Sequence, residues 1–395
     1  QSEQLDKEIT NQLYQDFKAL REQLIRSLSA DNPAIPPLDI IRYAQTVLDR
    51  ILFIAFAEDR GLLPDRIIAQ AYQQQNPFNP VPVWENFIGL FRAIDQGNPG
   101  LKIPAYNGGL FRHNDTLATL RVSDELCGSF KQLAEYDFAS EISVTVLGHI
   151  FEQSISDIEG LQAEASGDTA TRSTVSKRKQ HGVVYTPDHI TRFIVEHTLG
   201  AHLQSQFDQL WQATAEQRHG TGKWKKKDHE IRFWYSYQQC LQTTRVLDPA
   251  CGSGAFLVAA FDHLHEEYNR INDILAELKG DYDLLDLNRE ILNANLFGVD
   301  LNPESIEITK LSLWLKTAQH GKVLNSLDAN IQCGNSLISD PAYSDTPFDW
   351  QKNFPHIFTD DPTSGFDVVL GNPPWVTNAD LGALVIEADD ARRRD

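Results

Sequence analysis

Methionine is missing altogether from the 395 residues, which begin at Gln1. The expectation is a piece of a longer reading frame rather than a complete one. Cysteine is nearly as scarce. Cys127, Cys240, Cys251 and Cys333 are scattered without a C-x-x-C pair, so neither a disulfide framework nor a zinc site is indicated. No apolar run approaches the roughly 20 residues that cross a bilayer, and the amino-terminal stretch lacks the basic-then-apolar layout of a secretion signal. A cytoplasmic compartment is the expectation. An overall excess of basic charge is absent too. The formal net charge of −20 argues against a small, uniformly basic nucleic-acid binder.

What is present is unevenly distributed. Residues 172–232 hold eleven Lys+Arg against six Asp+Glu, a local net of +5 inside an acidic chain. The positive charge falls in two clusters, Lys177-Arg178-Lys179 and Lys223 with Lys225-Lys226-Lys227. Such clusters are expected either to face phosphates or to be solvated loops. The first half of the chain reads as helical. Leu13, Phe17, Leu20, Leu24 and Leu28 recur at intervals of three and four, which is one helix face. A more apolar helix runs through "DIIRYAQTVLDRILFIAFAEDRGLLP", with Gly61 and Pro64 as its stop signals. Residues 76–109 are rich in Asn, Pro and Gly and read as a long connection with turns. Helical periodicity returns in "ISVTVLGHIFEQSI". The organisation expected is a mainly helical region over 1–159, a flexible polar linker over 160–182, and a further domain over 183–395.

That further domain alternates short strands with helices. "RVLDPACGSGAFLVAAFDHL" is a strand, a glycine turn and a helix. "LFGVDLNPESIEITKLSLWLKTA" repeats the pattern, with Asn302 as N-cap and Pro303 at the first helical position. "NIQCGNSL" and "FDVVLGNPPW" are two more strand-to-turn units. Alternating βα units imply a parallel sheet covered by helices, with ligands at the carboxyl ends of its strands. Every candidate residue lies at such an end.

Asp248-Pro249-Ala250-Cys251-Gly252-Ser253-Gly254 opens the series. Gly252 and Gly254 allow close backbone approach to a ligand just before a helix. The Lys-Ser/Thr of a P-loop and the G-x-G-x-x-G of a dinucleotide fold are both absent. An Asp at the strand end would repel a pyrophosphate and welcome a cation, so an amino-acid ammonium fits better than a polyphosphate. Asp300, one unit on, is placed to accept from two ribose hydroxyls. An adenosine-type ligand carrying a positive amino acid accounts for both. Two prolines after Asn372 remove two backbone donors and fix two φ angles, so "VVLG" cannot continue as a strand. A rigid turn bearing one amide and one large aromatic, Trp375, suggests a site.

These motifs together resemble those of S-adenosylmethionine-dependent DNA methyltransferases acting on adenine N6. "DPACGSG", "GVDLN", "CGNSL" and "GNPPW" appear in that family's order. Upstream, "HGVVYTPDHITRFIVEHTL" is similar to its additional cofactor-binding motif, in the position of the γ group. The resemblance covers about residues 180–378. "LDRILFIAFAEDRGLLP", "YNGGLF" and "VLGHIFEQSI" resemble, less specifically, the helical region that precedes the methylase in type IIG restriction–modification enzymes and in methylases of phage-exclusion systems.

The resemblance implies an α/β fold, a Rossmann-like class I methyltransferase domain preceded by a mostly α-helical domain. It implies S-adenosyl-L-methionine as cofactor and double-stranded DNA as partner, with no membrane and no metal. Asn372 Oδ1 and the Pro373 carbonyl would accept the two N–H bonds of the adenine amine and localise its lone pair, with Pro374 stiffening the turn. Trp375, where the family more often has Tyr or Phe, would stack on the flipped base. Tyr185, Thr186 and Pro187 would help hold the methionine end of the cofactor. Asp248, Pro249, Ala250, Cys251, Gly252 and Gly254 would contact its amino-acid part. Phe256 is a further contact of this set, although a helix-face aromatic is more often core. Asp300 and Leu301 would meet the ribose. Asn335 and Ser336 would meet the adenine, Asn335 standing where the family often has Asp. Cys251 and Cys333 read as small apolar fillers, not nucleophiles.

Two other readings are open. Release-factor glutamine methyltransferases also carry Asn-Pro-Pro-aromatic, but are shorter and lack the Tyr-Thr-Pro motif. A non-catalytic DNA-binding subunit could keep the fold alone, although it would not need Asp248, Asp300, Asn372 and Trp375. A type IIG parent would also bring a nuclease. Only Glu277-Leu278-Lys279 matches a Glu-x-Lys element, on a charged helix face. Nuclease and target-recognition domains are therefore expected elsewhere in the parent polypeptide or in partner chains.

Overall fold

The computed structural model describes residues 2–75, 77–78, 80–106, 110–138, 147–148, 150, 153–154, 157–158, 160–161, 186, 188–280, 286–319, 326–359, 361 and 364–372. The expected linker at 160–182, apart from 160 and 161, and most of "ISVTVLGHIFEQSI" lie outside them.

Two long helices open the chain, α1 (Ser2–Asp31) and α2 (Pro37–Asp59). Leu13, Phe17, Leu20, Leu24 and Leu28 are all buried, so the periodic stripe is the packed face of α1. Pro37 opens α2, where a missing N–H costs no intrahelical bond. A short α3 (Ile67–Gln73) follows. The stretch 76–109, expected to be a connection, contains the fourteen-residue helix α4 (Val83–Gln96). Its flanks carry the prolines and asparagines, whereas its interior buries Trp84, Phe87, Leu90, Phe91 and Ile94 at helical spacing. Turn-forming flanks concealed an amphipathic helix.

Beyond residue 186 run α5 (Asp188–Val195), α6 (Ala201–Ala213), reached through one wider turn at Glu196–Gly200, and α7 (Lys227–Thr243). Four described strands, β1 (Val246–Asp248), β2 (Leu296–Asp300), β3 (Ile331–Cys333) and β4 (Val368–Val369), form one parallel sheet in the order β3-β2-β1-β4. Helix α8 (Ala255–Lys279) links β1 towards β2, and α9 (Pro303–Thr317) links β2 towards β3. Asn302 caps α9, its side-chain oxygen accepting from Glu304 N and Ser305 N. Buried amides tie the strand starts together. Asn295 Nδ2 donates to the Leu241 and Thr244 carbonyls, and Asn330 Nδ2 to those of Leu292 and Leu296. That bonding satisfies carbonyls which the apolar surroundings would otherwise strand.

One sheet face, with Val246, Leu296, Ile331 and Val368, joins a core continuous with the helical first half. Helix α2, buried over most of its length, packs on α9. Arg112 pairs with Asp328, and Lys310 on α9 reaches Asp328 at 2.7 Å and Glu307 at 3.0 Å. The opposite face buries Leu247, Phe297 and Val299 against Phe348, Phe354 and Ile357. Among the described residues, no helix is long and apolar enough to cross a membrane.

Candidate active site

Pairing in register sets Asp248 beside Gly298, Asp300 beside Cys333, and Leu247 beside Val369. The carboxyl ends of β1, β2, β3 and β4 therefore bring Asp248, Asp300, Asn335 and Asn372 to one end of the sheet. Tyr185, Pro187, Pro373, Pro374 and Trp375 lie outside the described residues.

The turn after β1 is built by its own backbone. Gly254 N donates to the Cys251 carbonyl at 2.8 Å, and Cys251 N to the Val299 carbonyl at 3.0 Å, so the turn folds over β2. Gly252 and Gly254 have φ of +53° and +83°, which L side chains adopt only with strain. At Gly254 a Cβ would also stand 3.0 Å from Thr309 Cγ2.

Asp300 joins the second unit to the first. Its Oδ2 accepts from Gly252 N and its Oδ1 from Asn302 N, both at 2.9 Å. The carboxylate expected to meet a ribose thus also shapes the glycine turn.

Asp248 is enclosed. Its Oδ1 accepts from Ala250 N at 3.1 Å, while the buried Oδ2 has no partner. Burial raises its carboxyl to about 7; the Ala250 hydrogen bond opposes this and the nearby Asp300 charge adds to it. A buried carboxylate oxygen left unpaired is costly unless something cationic or hydrogen-bonding arrives. The donor set fits a ligand presenting an ammonium beside hydroxyls, as S-adenosylmethionine does. Gly371, at the end of β4, permits this arrangement: a Cβ there would come within 2.6 Å of Asp248 Oδ1.

The remaining predicted positions are distributed as follows. Asn372 Nδ2 donates to Thr186 Oγ1 at 3.1 Å, across 186 residues of sequence. Asn335 closes a turn, its Oδ1 accepting from Leu337 N, and the Ser336 carbonyl accepts from Trp350 Nε1. Leu301 is half exposed, and Phe256 is buried in the main core. Cys251 is buried and its thiol is pushed well above the usual range by burial and by the charges of Asp248 and Asp300. Cys333 is not a filler: it is exposed at the end of β3, its Sγ 3.5 Å from the Leu301 carbonyl.

Residues 294–392 match the family model described as Eco57I restriction-modification methylase. Over 352 residues the chain is 28% identical to a putative type II restriction enzyme and methyltransferase of Methanocaldococcus jannaschii, covering 78% of this chain and 28% of that protein. It is 25% identical over 388 residues to the type II restriction enzyme and methyltransferase RM.Eco57I of Escherichia coli, covering 89% and 32%. An adenine-specific methyltransferase, PglX, of Lacticaseibacillus casei is 24% identical over 317 residues, covering 71% and 26%. The chain thus spans about a third or less of the length of these relatives. In fold it resembles the type IIL restriction–modification enzyme MmeI, solved in complex with DNA, with a TM-score of 0.56, 17% identity, and 87% of this chain and 41% of that one covered.

Two hydroxyls beside the glycine turn escaped the sequence reading. Thr309 Oγ1 donates to the Gly252 carbonyl at 2.8 Å, and Ser312 Oγ to the Ser253 carbonyl at 3.1 Å. Helix α9 therefore holds the glycine turn from beneath. The available signal was Ser305, Thr309 and Ser312 at spacings of four and three along the helix, a hydroxyl stripe.

The second basic cluster is not beside the candidate site. Helix α8 starts at the glycine turn and runs back down the sheet. Its Arg270 lies 5.3 Å from the Trp234 ring, and its Lys279 Nζ donates to Tyr235 OH. Fifteen residues of helix separate Ala255 from Arg270, about 23 Å. Residues 223–227, just before α7, consequently sit at the far end from Asp248. There Arg218 stacks 3.5 Å from the centre of the Trp211 ring, and Lys225 Nζ donates to the Glu216 carbonyl. The cause is topological: α7 enters β1 from the amino-terminal end of the sheet.

Proposed function

We propose that this domain transfers a methyl group from S-adenosylmethionine to N6 of an adenine flipped out of duplex DNA, as the modification activity of a type IIG-like restriction–modification or related anti-phage system. The observation that carries the reading is the buried, unpartnered Oδ2 of Asp248 at the strand end next to Asn372. Bound S-adenosylmethionine would supply an electrophilic methyl carbon. Asp248 would pair with its ammonium and Asp300 with its ribose hydroxyls, while Gly252 and Gly254 keep side chains out of its way. Asn372 Oδ1 and the Pro373 carbonyl would accept from the adenine amine, drawing its lone pair out of the ring. Trp375 would stack on the base.

The name of the Lacticaseibacillus relative supports adenine as the target. The choice of DNA sequence, and cleavage where it occurs, belong on this reading to a longer polypeptide or to partner chains, in the cytoplasm. The test is incubation of the complete polypeptide with methyl-labelled S-adenosylmethionine and mixed-sequence duplex DNA, followed by nucleoside analysis. N6-methyladenine that vanishes in Asn372→Ala is expected. Label in a protein glutamine instead, or no product despite bound cofactor, overturns the proposal.

A further inference from the structure

We infer that Thr186 is a positioning residue for Asn372, holding the amide so that its oxygen rather than its nitrogen meets the target amine; the inference rests on the adenine-N6 reading above. Three linked contacts support it. Asn372 Nδ2 donates to Thr186 Oγ1 at 3.1 Å. The Thr186 carbonyl in turn accepts from Thr191 Oγ1 at 3.2 Å. Thr191 is buried on α5, whose packing against α8 fixes that helix on the same domain as the glycine turn. The hydroxyl that receives the Asn372 amide is therefore tied to a packed helix.

The chemistry makes the orientation matter. A primary amide is nearly symmetric in shape, but turning it by half a revolution exchanges one acceptor for two donors. An exocyclic amine with two N–H bonds needs an acceptor. Presented with Nδ2 it would meet donor against donor, and its lone pair would stay in the ring. With Nδ2 committed to Thr186, Oδ1 is left as the acceptor. A hydroxyl can both donate and accept, so Thr186 does not choose the orientation alone. It removes the free rotation, and the amine then selects the form already seen. Position 186 thereby gains a task distinct from contact with a cofactor.

The experiment compares wild type, Thr186→Val, Thr186→Ala and Thr186→Ser in the complete polypeptide. Two quantities are measured: S-adenosylhomocysteine affinity by calorimetry, and single-turnover methyl transfer to DNA at saturating cofactor. Thr186→Val and Thr186→Ala should change the affinity by less than about threefold while slowing transfer by roughly 10- to 100-fold, the scale of a misplaced reacting group. Thr186→Ser, which keeps the hydroxyl, should restore the rate. If the Val and Ala variants lose affinity and transfer normally once saturated, Thr186 serves the cofactor and the inference is overturned. If Ser fails to rescue, it is overturned as well. If wild type binds no S-adenosylhomocysteine or methylates no adenine, the functional reading itself falls and this inference with it.

Discussion

Asp248 and Gly371 meet across the β1–β4 pair so closely that a single methyl group on Gly371 would lie 2.6 Å from Asp248 Oδ1. One strand end needs a carboxylate turned inward, and its neighbour must therefore lack a side chain. Gly371→Ala should displace Asp248 or β4, costing about 1–3 kcal/mol of stability as an overpacked position does. The same change should weaken S-adenosylhomocysteine binding at least tenfold. Calorimetry beside a urea melt checks it, and wild-type affinity in the variant would mean that the Asp248 geometry does not matter to the ligand.

Two buried carboxyls should make the free protein more stable in mild acid than in mild base. Asp248 and Asp49 are each raised by burial to about 7. Asp49 is held by Gln45 Nε2 at 2.7 Å, which only partly offsets the burial. Both bind a proton more tightly folded than unfolded, so the folded state carries extra protons between about pH 4 and pH 7. Stability then falls as pH rises through that window and levels off above it, by at most roughly 4 kcal/mol per carboxyl. Urea midpoints at pH 5.5 and pH 8 test the sign, and Asp49→Asn should remove its share of the slope.

The same titration predicts how a cationic ligand behaves. Pairing an ammonium with Asp248 favours its ionised form, so binding should release a proton when the pH is below about 7. Calorimetry of S-adenosylhomocysteine in two buffers of different ionisation heat measures that proton. Uptake of a proton would contradict the pairing.

Removing the Thr309 hydroxyl should loosen the glycine turn without changing the volume of α9. Thr309→Val leaves the Gly252 carbonyl without its donor, worth about 1–3 kcal/mol at a buried group. The effect should be greater in cofactor affinity than in a distant reporter of α1 unfolding. An equal loss in both would identify Thr309 as ordinary core.

The far-end lysines make a negative prediction. Changing Lys223, Lys226 and Lys227 to Gln should leave cofactor affinity and the methyl-transfer step unaltered, because α8 separates them from Asp248 by more than about 20 Å. DNA binding by these 395 residues should be non-specific, near 10⁻⁴–10⁻⁶ M by order of magnitude, and should lose only part of its salt dependence in the variant. Filter binding at two salt concentrations on two unrelated duplexes decides the matter.

Local features were legible because local sequence carries them. The stripe Leu13–Phe17–Leu20–Leu24–Leu28 names its own helix face, and Asn302-Pro303 names its own helix start. Gly252 and Gly254 announce a turn because few other residues tolerate its φ angles, and two prolines after Asn372 stop a strand wherever it lies. Alternation of strand and helix was enough to infer a parallel sheet and to assign the candidate residues to its carboxyl ends. The distant meetings were not legible. Helix Val83–Gln96 was hidden by turn residues at its flanks, since composition averaged over 76–109 hides a periodic interior. Strand order decided that Asp248 faces Gly371, and the packing of α5 decided that Thr186 receives Asn372. The direction from which α7 enters the sheet decided that the basic cluster lies far from the site. Periodicity and turn chemistry act over a few bonds, whereas which strand ends and hydroxyls meet depends on burying one continuous apolar core, which only the folded chain as a whole does.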